Sequence, residues 1–196
     1  MHFLPWTPRR DEADMPRAVE RIAAGDGRAL EQVYRREAGA VYRYALALCG
    51  NPAWAADATQ DAFVALATRP RGFDAALGAL GAYLAGIARH ALHARWRDAQ
   101  GQAPLADDDE AADLTGDVAE SPESLLVRVQ DQQALWQALR TLPLPFREAL
   151  VLVDLQERPY AEAAQIAGIE INTLRTRLHR GRTRLAALLA AGPNGA

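Results

Sequence analysis

The sequence of 196 residues contains no lysine, so all 22 of its lysine and arginine positions are arginine. It has one cysteine, Cys49, which excludes an intramolecular disulfide framework and a metal site built from several cysteines. No apolar run approaches the roughly 20 residues that cross a bilayer. The opening stretch MHFLPWTPRRDEADMPR carries prolines and charges where a signal peptide has its apolar segment. We therefore expect a soluble, cytoplasmic protein, and nothing in the sequence calls for a cofactor.

The composition favours a globular protein over a disordered one, because hydrophobic residues make up 49% and charged residues 24% of the chain. The formal net charge is -3 and the pI is about 5.8. Such a chain does not coat nucleic acid uniformly, but it can carry one local basic face.

Apolar residues recur at helical spacing in two blocks, and no alternating strand pattern is present. In the first block, GNP at Gly50–Pro52 predicts the end of one helix and the start of the next, and Pro and Gly in Arg69–Asp74 predict a loop. In the second block, FREALVLVDL at Phe146–Leu155 fits a buried strand or a helix, and its helical flanks favour a helix. The predicted fold class is all-α, with two small helical domains.

An acidic segment separates the two blocks and shows no apolar periodicity, which predicts a flexible linker. Its acids are Asp107, Asp108, Asp109, Glu110, Asp113, Asp117 and Glu120. A Ser121-Pro122 pair after them is a candidate helix start. The predicted organisation is a tail at 1–15, a domain at 16–98, the linker at 99–123, a domain at 124–191 and a tail at 192–196.

The end of the chain has the pattern of a helix-turn-helix. Pro159 suits the first turn of a short helix that runs to about Ala167, and Gly168 suits the turn. A second helix is expected from Ile171 to about Ala191, where Gly192 and Pro193 stop it.

This second helix combines an apolar side with a basic side. The apolar side has Leu174, Leu178, Leu185 and Leu188, and the basic side has Asn172, Thr173, Arg175, Thr176, His179, Arg180 and Arg182. Arginine binds phosphates and guanine, while Asn, Thr and His reach base edges, so we expect DNA binding. The N-terminal positions 172–176 are the candidates for base contact, and Arg180, Arg182 and Arg184 are candidates for phosphate contact. The alternative is a solvated arginine-rich helix, but no acid between Ile171 and Leu185 offers a partner.

The stretch RTLPLPFREALVLVDLQERPYAEAAQIAGIEINTLRTRLHRGRTRL resembles the C-terminal DNA-binding domain of bacterial RNA polymerase sigma factors, in particular the small extracytoplasmic-function group. In the first block, DATQDAFVAL at Asp57–Leu66 resembles the polymerase-binding helix of that family. YLAGIARHALHARWRD at Tyr83–Asp98 resembles the promoter-melting helix that follows it. The resemblance covers roughly 170 residues and includes the domain order.

The resemblance implies a protein that is not an enzyme and that gives core RNA polymerase its promoter preference. Asp57, Gln60, Asp61 and Phe63 match the polymerase-binding pattern. Asp61 would pair with a basic side chain of the polymerase and Phe63 would fill an apolar contact. The alternative is that Phe63 belongs to the core and Asp61 is only solvated.

The resemblance also implies contacts with the minus-ten promoter element. In the loop Arg71–Leu77, Phe73 would stack on a flipped-out base and Asp74 would accept a hydrogen bond from it. The opened strand would follow charged and aromatic side chains of the next helix. These are Arg89, His90, His93, Arg95, Trp96 and Arg97. Trp96 is equally suited to anchor the core. The family usually has Asn at His90 and bulkier or basic residues at Ala85-Gly86.

The implied partners are core RNA polymerase, promoter DNA and an anti-sigma factor, and the acidic linker would mimic nucleic acid in the RNA channel of the polymerase. One competing hypothesis is a stand-alone helix-turn-helix regulator with an N-terminal sensing or dimerisation domain. Another is a metal-dependent enzyme using His90 and His93, which lack carboxylates at suitable spacing. The sigma-factor hypothesis requires two compact modules, with the arginine side of the last helix facing outward.

Overall fold

The computed structural model describes residues 14–99 and 128–191, and all regular structure within these two ranges is helical. Most of the predicted tails and linker, with the candidate Ser121 cap, lies outside the described residues. The helices are α1 (Met15–Ala23), α2 (Gly27–Cys49), α3 (Pro52–Thr68), α4 (Leu80–Ala99), α5 (Arg128–Thr141), α6 (Leu144–Leu150), α7 (Tyr160–Ala167) and α8 (Ile171–Ala191). The all-α prediction is confirmed.

Short-range signals set the helix ends of the N-terminal block. The Asp26 carboxylate caps α2 by accepting from the backbone N–H groups of Arg28 and Ala29. Gly50 takes the left-handed conformation (φ 66°) that ends α2. The side-chain oxygen of Asn51 caps α3 by accepting from the backbone N–H groups of Ala53 and Trp54. The predicted break at Gly50–Pro52 is therefore confirmed.

The N-terminal core lies between α2, α3 and α4. Alanine fills much of it and allows the three helices to approach closely, and larger buried side chains fill the rest. The fully buried larger members are Val33, Val41, Tyr44, Leu48, Leu66, Leu84 and Leu92. The helix α1 covers one side through Val19 and Ile22.

The C-terminal block is built around α6 and α8. The stretch Phe146–Leu155 is helical, as favoured, but its second half, Val151–Leu155, winds into a π-helix that the sequence did not predict. Helix α8 approaches α6 through Gly181, where an added Cβ would lie 3.2 Å from the backbone oxygen of Phe146 and 3.2 Å from Cγ of Leu150. A glycine at this position therefore permits the close contact of the two helices.

The helix-turn-helix prediction is confirmed by α7, the left-handed Gly168 (φ 66°) and α8. On the apolar side of α8, Leu174 and Leu178 are buried and Leu185 is partly buried. Leu188 was expected in this stripe, but it is 39% exposed.

The two blocks contact each other directly, which the sequence did not predict. Helix α7 packs on α4, and α6 with the following π-helix packs on α2. Buried apolar side chains of both blocks form one continuous cluster. The polar side of α8 nevertheless remains outward, with Asn172, Arg175, Thr176 and His179 exposed.

Candidate nucleic-acid interface

The N-terminal half of α8 presents the predicted DNA-reading face to solvent. Asn172, Arg175, Thr176, His179 and Arg182 are exposed, while Thr173 and Arg180 are partly buried. Leu174 and Leu178, on the opposite side of α8, anchor it in the core and so fix which way this face points. The seven predicted residues therefore form one continuous polar surface.

An exposed tyrosine extends this surface, and the sequence reasoning missed it. Tyr160, the first residue of α7, is 40% exposed and lies beneath the Arg175 guanidinium, whose carbon is 5.8 Å from the ring centroid. The same guanidinium donates to the Asn172 side-chain oxygen at 3.4 Å. The aromatic ring and the amide oxygen together orient Arg175. The sign of this contact in the sequence was the aromatic residue at the start of the first helix of the motif.

Two arginines predicted for phosphate contact already have partners. Arg182 donates to both Asp154 oxygens, at 2.6 and 3.0 Å, and this hydrogen bond raises the pKa of Arg182 above its ordinary value. Arg184 lies over the Phe146 ring at 4.4 Å. No acid lies between Ile171 and Leu185, but Arg182 has a partner from outside α8, because Asp154 comes from the π-helix 28 residues earlier in the chain.

On α4, Arg89 points toward the C-terminal block. Its Nε donates to Oε1 of Glu148 at 2.7 Å, and the Tyr44 hydroxyl donates to the same oxygen at 2.9 Å. Glu148 is 2% exposed and Tyr44 is fully buried. Burial, and then the neighbouring Glu148 charge, hold the pKa of Tyr44 well above its ordinary value. In this conformation Arg89 is engaged by protein and is not presented to a nucleic acid.

A second α4 arginine connects two predicted surfaces. Arg95 lies 3.2 Å from a carboxylate oxygen of Asp61 and 3.5 Å from one of Asp57. The two carboxylates are one helical turn apart on α3, so a single guanidinium reaches both. A residue predicted to bind DNA thus forms ion pairs with two residues predicted to bind polymerase.

The predicted apolar contact residue of α3 lies in the core. Phe63 is only 5% exposed, and its ring packs edge-on against Tyr34 with centroids 4.8 Å apart. The exposed apolar side chains at this surface are Tyr34, at 49%, and Val64, at 51%. Phe63 follows the buried Thr59 by four residues and precedes the buried Leu66 by three. This helical spacing indicates that Phe63 lies on the buried face of α3.

The loop before α4 combines a partly buried aromatic ring with an open cleft. The Phe73 ring packs against Tyr83 with centroids 5.7 Å apart, and Asp74 accepts from the backbone N–H of Ala76 at 2.9 Å. The cleft has a volume of about 770 Å³, and Phe73 and Asp74 line it together with Val19 and Glu20 of α1. Such a cleft has room for a base, with an aromatic face and a carboxylate at its wall.

The remaining predicted residues of α4 divide between surface and core. His90 and Arg97 are exposed, whereas Trp96 packs partly buried against the apolar cluster. His93 packs edge-on against Trp96 at 5.3 Å, and its Nε2 is buried without a hydrogen-bond partner among the described residues. Burial, reinforced by the positive charge of Arg89, lowers the pKa of His93 to about 4, so the ring is neutral near pH 7.

Cys49 lies at the end of α2, half-buried, where its thiol donates to the backbone oxygen of Asn51 at 3.3 Å. Burial raises the pKa of the Cys49 thiol. The positive charges of Arg147 and Arg140 favour the thiolate, but burial outweighs them. Within residues 14–99 and 128–191, no group of three or more His, Cys, Asp or Glu side chains is placed to hold a metal ion.

Two family models match the chain. Sigma-70 region 2 matches residues 33–102, which include α3, the Phe73 loop and α4. Sigma-70 region 4 matches residues 132–185, which include α7 and most of α8. The two matches contain all the residues singled out above for polymerase or DNA contact.

Curated relatives extend the similarity over most of the chain. The ECF RNA polymerase sigma factor SigM of Mycobacterium tuberculosis is 33% identical over 168 residues, which cover 85% of this chain and 80% of that protein. The ECF RNA polymerase sigma factor BldN of Streptomyces coelicolor is 30% identical over 179 residues, covering 91% and 67%.

Solved structures show the same arrangement of helices. The sigma factor RpoE, in complex with the anti-sigma factor NepR from Bartonella quintana, has a TM-score of 0.62 at 25% identity and covers 83% of this chain and 97% of that one. CnrH, in complex with the cytosolic domain of CnrY, has a TM-score of 0.66 at 23% identity, covering 92% and 99%, and supports the fold alone. No helix in the described ranges has the length and apolar character of a membrane span.

Proposed function

Because the chain belongs to the ECF family of RNA polymerase sigma factors, we propose that it binds core polymerase with its N-terminal block and reads promoter DNA with both blocks. This role needs no catalytic group of its own, so we propose that the protein is not an enzyme. It acts in the cytoplasm, where the polymerase works. The observation that carries the assignment in detail is the outward polar face of α8 at the family's DNA-binding position.

The polymerase-binding surface is the exposed side of α3. Asp57, Gln60 and Asp61 supply its polar contacts, and Tyr34 and Val64 supply the apolar ones. Phe63 supports this surface from beneath by fixing the Tyr34 ring. A basic side chain of the polymerase would compete with Arg95 for Asp57 and Asp61. It would replace the ion pairs that Arg95 makes with Asp61 at 3.2 Å and with Asp57 at 3.5 Å.

The minus-ten element is bound by the Phe73 loop and α4. Phe73 and Asp74 line a cleft that a flipped-out base enters, and its unstacking costs a few kcal/mol. Exposed His90 and Arg97 contact the opened strand directly. His93 and Trp96 act as supports of α4, because both are partly buried against each other and the core.

The minus-thirty-five element is bound by α8. Asn172, Arg175 and Thr176 lie at its N-terminal end, the part of a recognition helix that meets base edges in the major groove. Arg180 and Arg182 lie further along the helix, where phosphate contact is expected. Tyr160 holds the Arg175 guanidinium and restricts its orientation.

The family implies a role for the acidic segment and one further partner. The acids of segment 99–123 would mimic nucleic acid in the RNA channel of the polymerase, so deletion of Asp107–Glu110 should reduce initiation more than polymerase binding. An anti-sigma factor would hold the protein inactive, and one structural relative, RpoE of Bartonella quintana, is in complex with the anti-sigma factor NepR.

The test is reconstitution with purified core polymerase, followed by mapping of transcript starts. We expect the protein to bind core polymerase at low salt and to produce starts at a defined set of promoters. Absence of core binding would refute the proposal. Sequence-specific binding to duplex DNA without polymerase, together with no change in transcript starts, would instead indicate a stand-alone regulator.

A further inference from the structure

Glu148 is a buried carboxylate of the C-terminal block whose hydrogen bonds reach into the N-terminal block. It is 2% exposed, and its oxygens accept from the Tyr44 hydroxyl at 2.9 Å and from Arg89 Nε at 2.7 Å and Nη2 at 3.4 Å. Tyr44 lies on α2 and Arg89 on α4, so one side chain of α6 joins two helices of the other block. A charge is buried at this depth only when it is well partnered.

Two further contacts between the blocks flank the hydrogen bonds of Glu148. The neighbouring Arg147 donates to the backbone oxygen of Leu48 at 2.6 Å. Toward the other end, the Gln165 side chain of α7 lies against the loop before α4, where a Cβ at Gly78 would be 2.7 Å from its oxygen. The two blocks are thus held by hydrogen bonds of Glu148 and Arg147 and by close packing of Gln165 against Gly78.

This packing is incompatible with simultaneous contact of both promoter elements. The minus-ten and minus-thirty-five elements lie about 25 base pairs apart, which is about 85 Å at the 3.4 Å rise of duplex DNA. A helix of 21 residues, such as α8, is only about 32 Å long. Blocks in direct contact cannot reach both elements, whereas a chain of 28 residues, the length of segment 100–127, can span about 90 Å when extended.

We propose that the contact of Glu148 with Tyr44 and Arg89 is an interdomain latch. It holds the free protein in the packed arrangement and keeps Arg89 from promoter DNA. The latch opens when polymerase and promoter separate the two blocks. The inference rests on the proposed function, because that function defines the open state.

The energetic direction follows from what each state offers Glu148. In the packed state its carboxylate has protein partners and no access to bulk water, whereas in the open state water solvates it. Removing a partner therefore penalises the packed state only. Loss of one hydrogen bond to a charged group should shift the ratio of open to packed molecules about tenfold or more toward the open state.

The test measures the distance between the blocks in the full-length free protein. Dye pairs at Ala67→Cys on α3 and Ala187→Cys on α8, both exposed positions, in a Cys49→Ala background report it by single-molecule energy transfer. For the unaltered latch we expect one narrow, short-distance population. Tyr44→Phe keeps the buried ring but removes the hydroxyl, and Glu148→Gln removes the charge; each should raise the long-distance population about tenfold.

Glu31→Gln is the matched control, because it breaks an exposed ion pair with Arg35 within α2 itself. It should leave the distribution unchanged. If Glu148→Gln loses helical content by circular dichroism, Tyr44→Phe decides the outcome. A broad, long distance in the unaltered free protein, or no shift in Tyr44→Phe, would overturn the latch.

Adding core polymerase and promoter DNA should convert the unaltered protein to the long-distance population. A protein that stays packed on an initiating promoter would contradict the proposed opening. Failure to bind core polymerase at all would refute the proposed function instead, and it would leave the distances measured in the free protein unaffected.

Discussion

The two blocks differ in how their predicted contact residues are placed. On α8 of the C-terminal block, Asn172, Arg175, Thr176 and His179 are exposed and available to DNA. In the N-terminal block, Phe63 is buried, and Arg89 is engaged by a carboxylate of the other block. Residues identified by the same kind of motif are thus exposed on the surface of the C-terminal block, whereas in the N-terminal block they pack in the core or form ion pairs within the protein.

The difference arises from the range of the interactions involved. The face of α8 is set by its own apolar stripe, through Leu174 and Leu178, so it is a local property of the sequence. The arginines of α4 are placed by acids that are distant in the chain, such as Glu148, 59 residues after Arg89. The comparison predicts that substitutions at predicted contacts cost stability in the N-terminal block and DNA affinity in the C-terminal block.

The largest expected effect is on stability, at Phe63. Phe63→Ala should lower the free energy of unfolding by about 3–5 kcal/mol, the range for a buried Phe, as measured by chemical denaturation. Val64→Ala, at the exposed neighbouring position, should change it by less than about 0.5 kcal/mol yet weaken binding to core polymerase. Equal, small stability losses in both variants would show that Phe63 is a surface contact after all.

Arg175→Ala should have the opposite profile. We expect a loss of about 1–3 kcal/mol in binding of the holoenzyme to the minus-thirty-five element if Arg175 contacts a base, with unchanged protein stability. If it contacts phosphate, the loss should be similar for all sequences and the salt slope should fall by about one unit. Arg35→Ala, an exposed arginine of α2, is the control. Unaltered affinity and slope in Arg175→Ala would remove this residue from the interface.

His93 predicts a pH effect confined to the N-terminal block. Its folded pKa of about 4 lies below the ordinary 6.5, so between these values the unfolded chain binds a proton that the folded one excludes. Stability should therefore fall as pH drops from about 6.5 to 4, by at most about 1.4 kcal/mol per pH unit from this residue. His93→Phe should flatten that dependence in denaturation curves, while His90→Phe on the exposed face should retain it. A slope identical in all three proteins would contradict the buried neutral state.

The smallest expected effect is at Asp154, the partner of Arg182. The pair is largely solvated, with side-chain exposures of 55% for Arg182 and 32% for Asp154, so Asp154→Asn should cost at most about 1 kcal/mol of stability. Because it releases Arg182, it should leave DNA affinity equal or slightly higher and raise the salt slope by up to one unit. Weaker DNA binding in Asp154→Asn would instead show that the ion pair positions Arg182 for contact.

Local chemistry in the sequence was sufficient to predict the helices and the outward polar face of α8. Gly50 and Gly168 each adopt the left-handed conformation that ends a helix, and Pro52 and Pro159 mark helix starts. These features depend on residues a few positions apart, so their pattern is visible without a structure.

Features that depend on distant residues were not predictable in the same way. Nothing near Glu148 in the chain indicates that Tyr44 and Arg89 are its partners, and no local pattern distinguishes the π-helix at Val151–Leu155 from an ordinary turn of helix. A single carboxylate within the apolar run FREALVL was the one available sign that a charge is buried there. Phe63 is different, because its spacing from Leu66 already placed it on the buried face of α3.

The most direct measurement of the central claim, that α8 and the α4 region read separate promoter elements, is a footprint of the holoenzyme on one mapped promoter. The unaltered protein should protect two patches about 25 base pairs apart. Arg175→Ala should lose the upstream patch first and leave the downstream one. Loss of the downstream patch alone, or of both patches together at every salt concentration, would contradict the account.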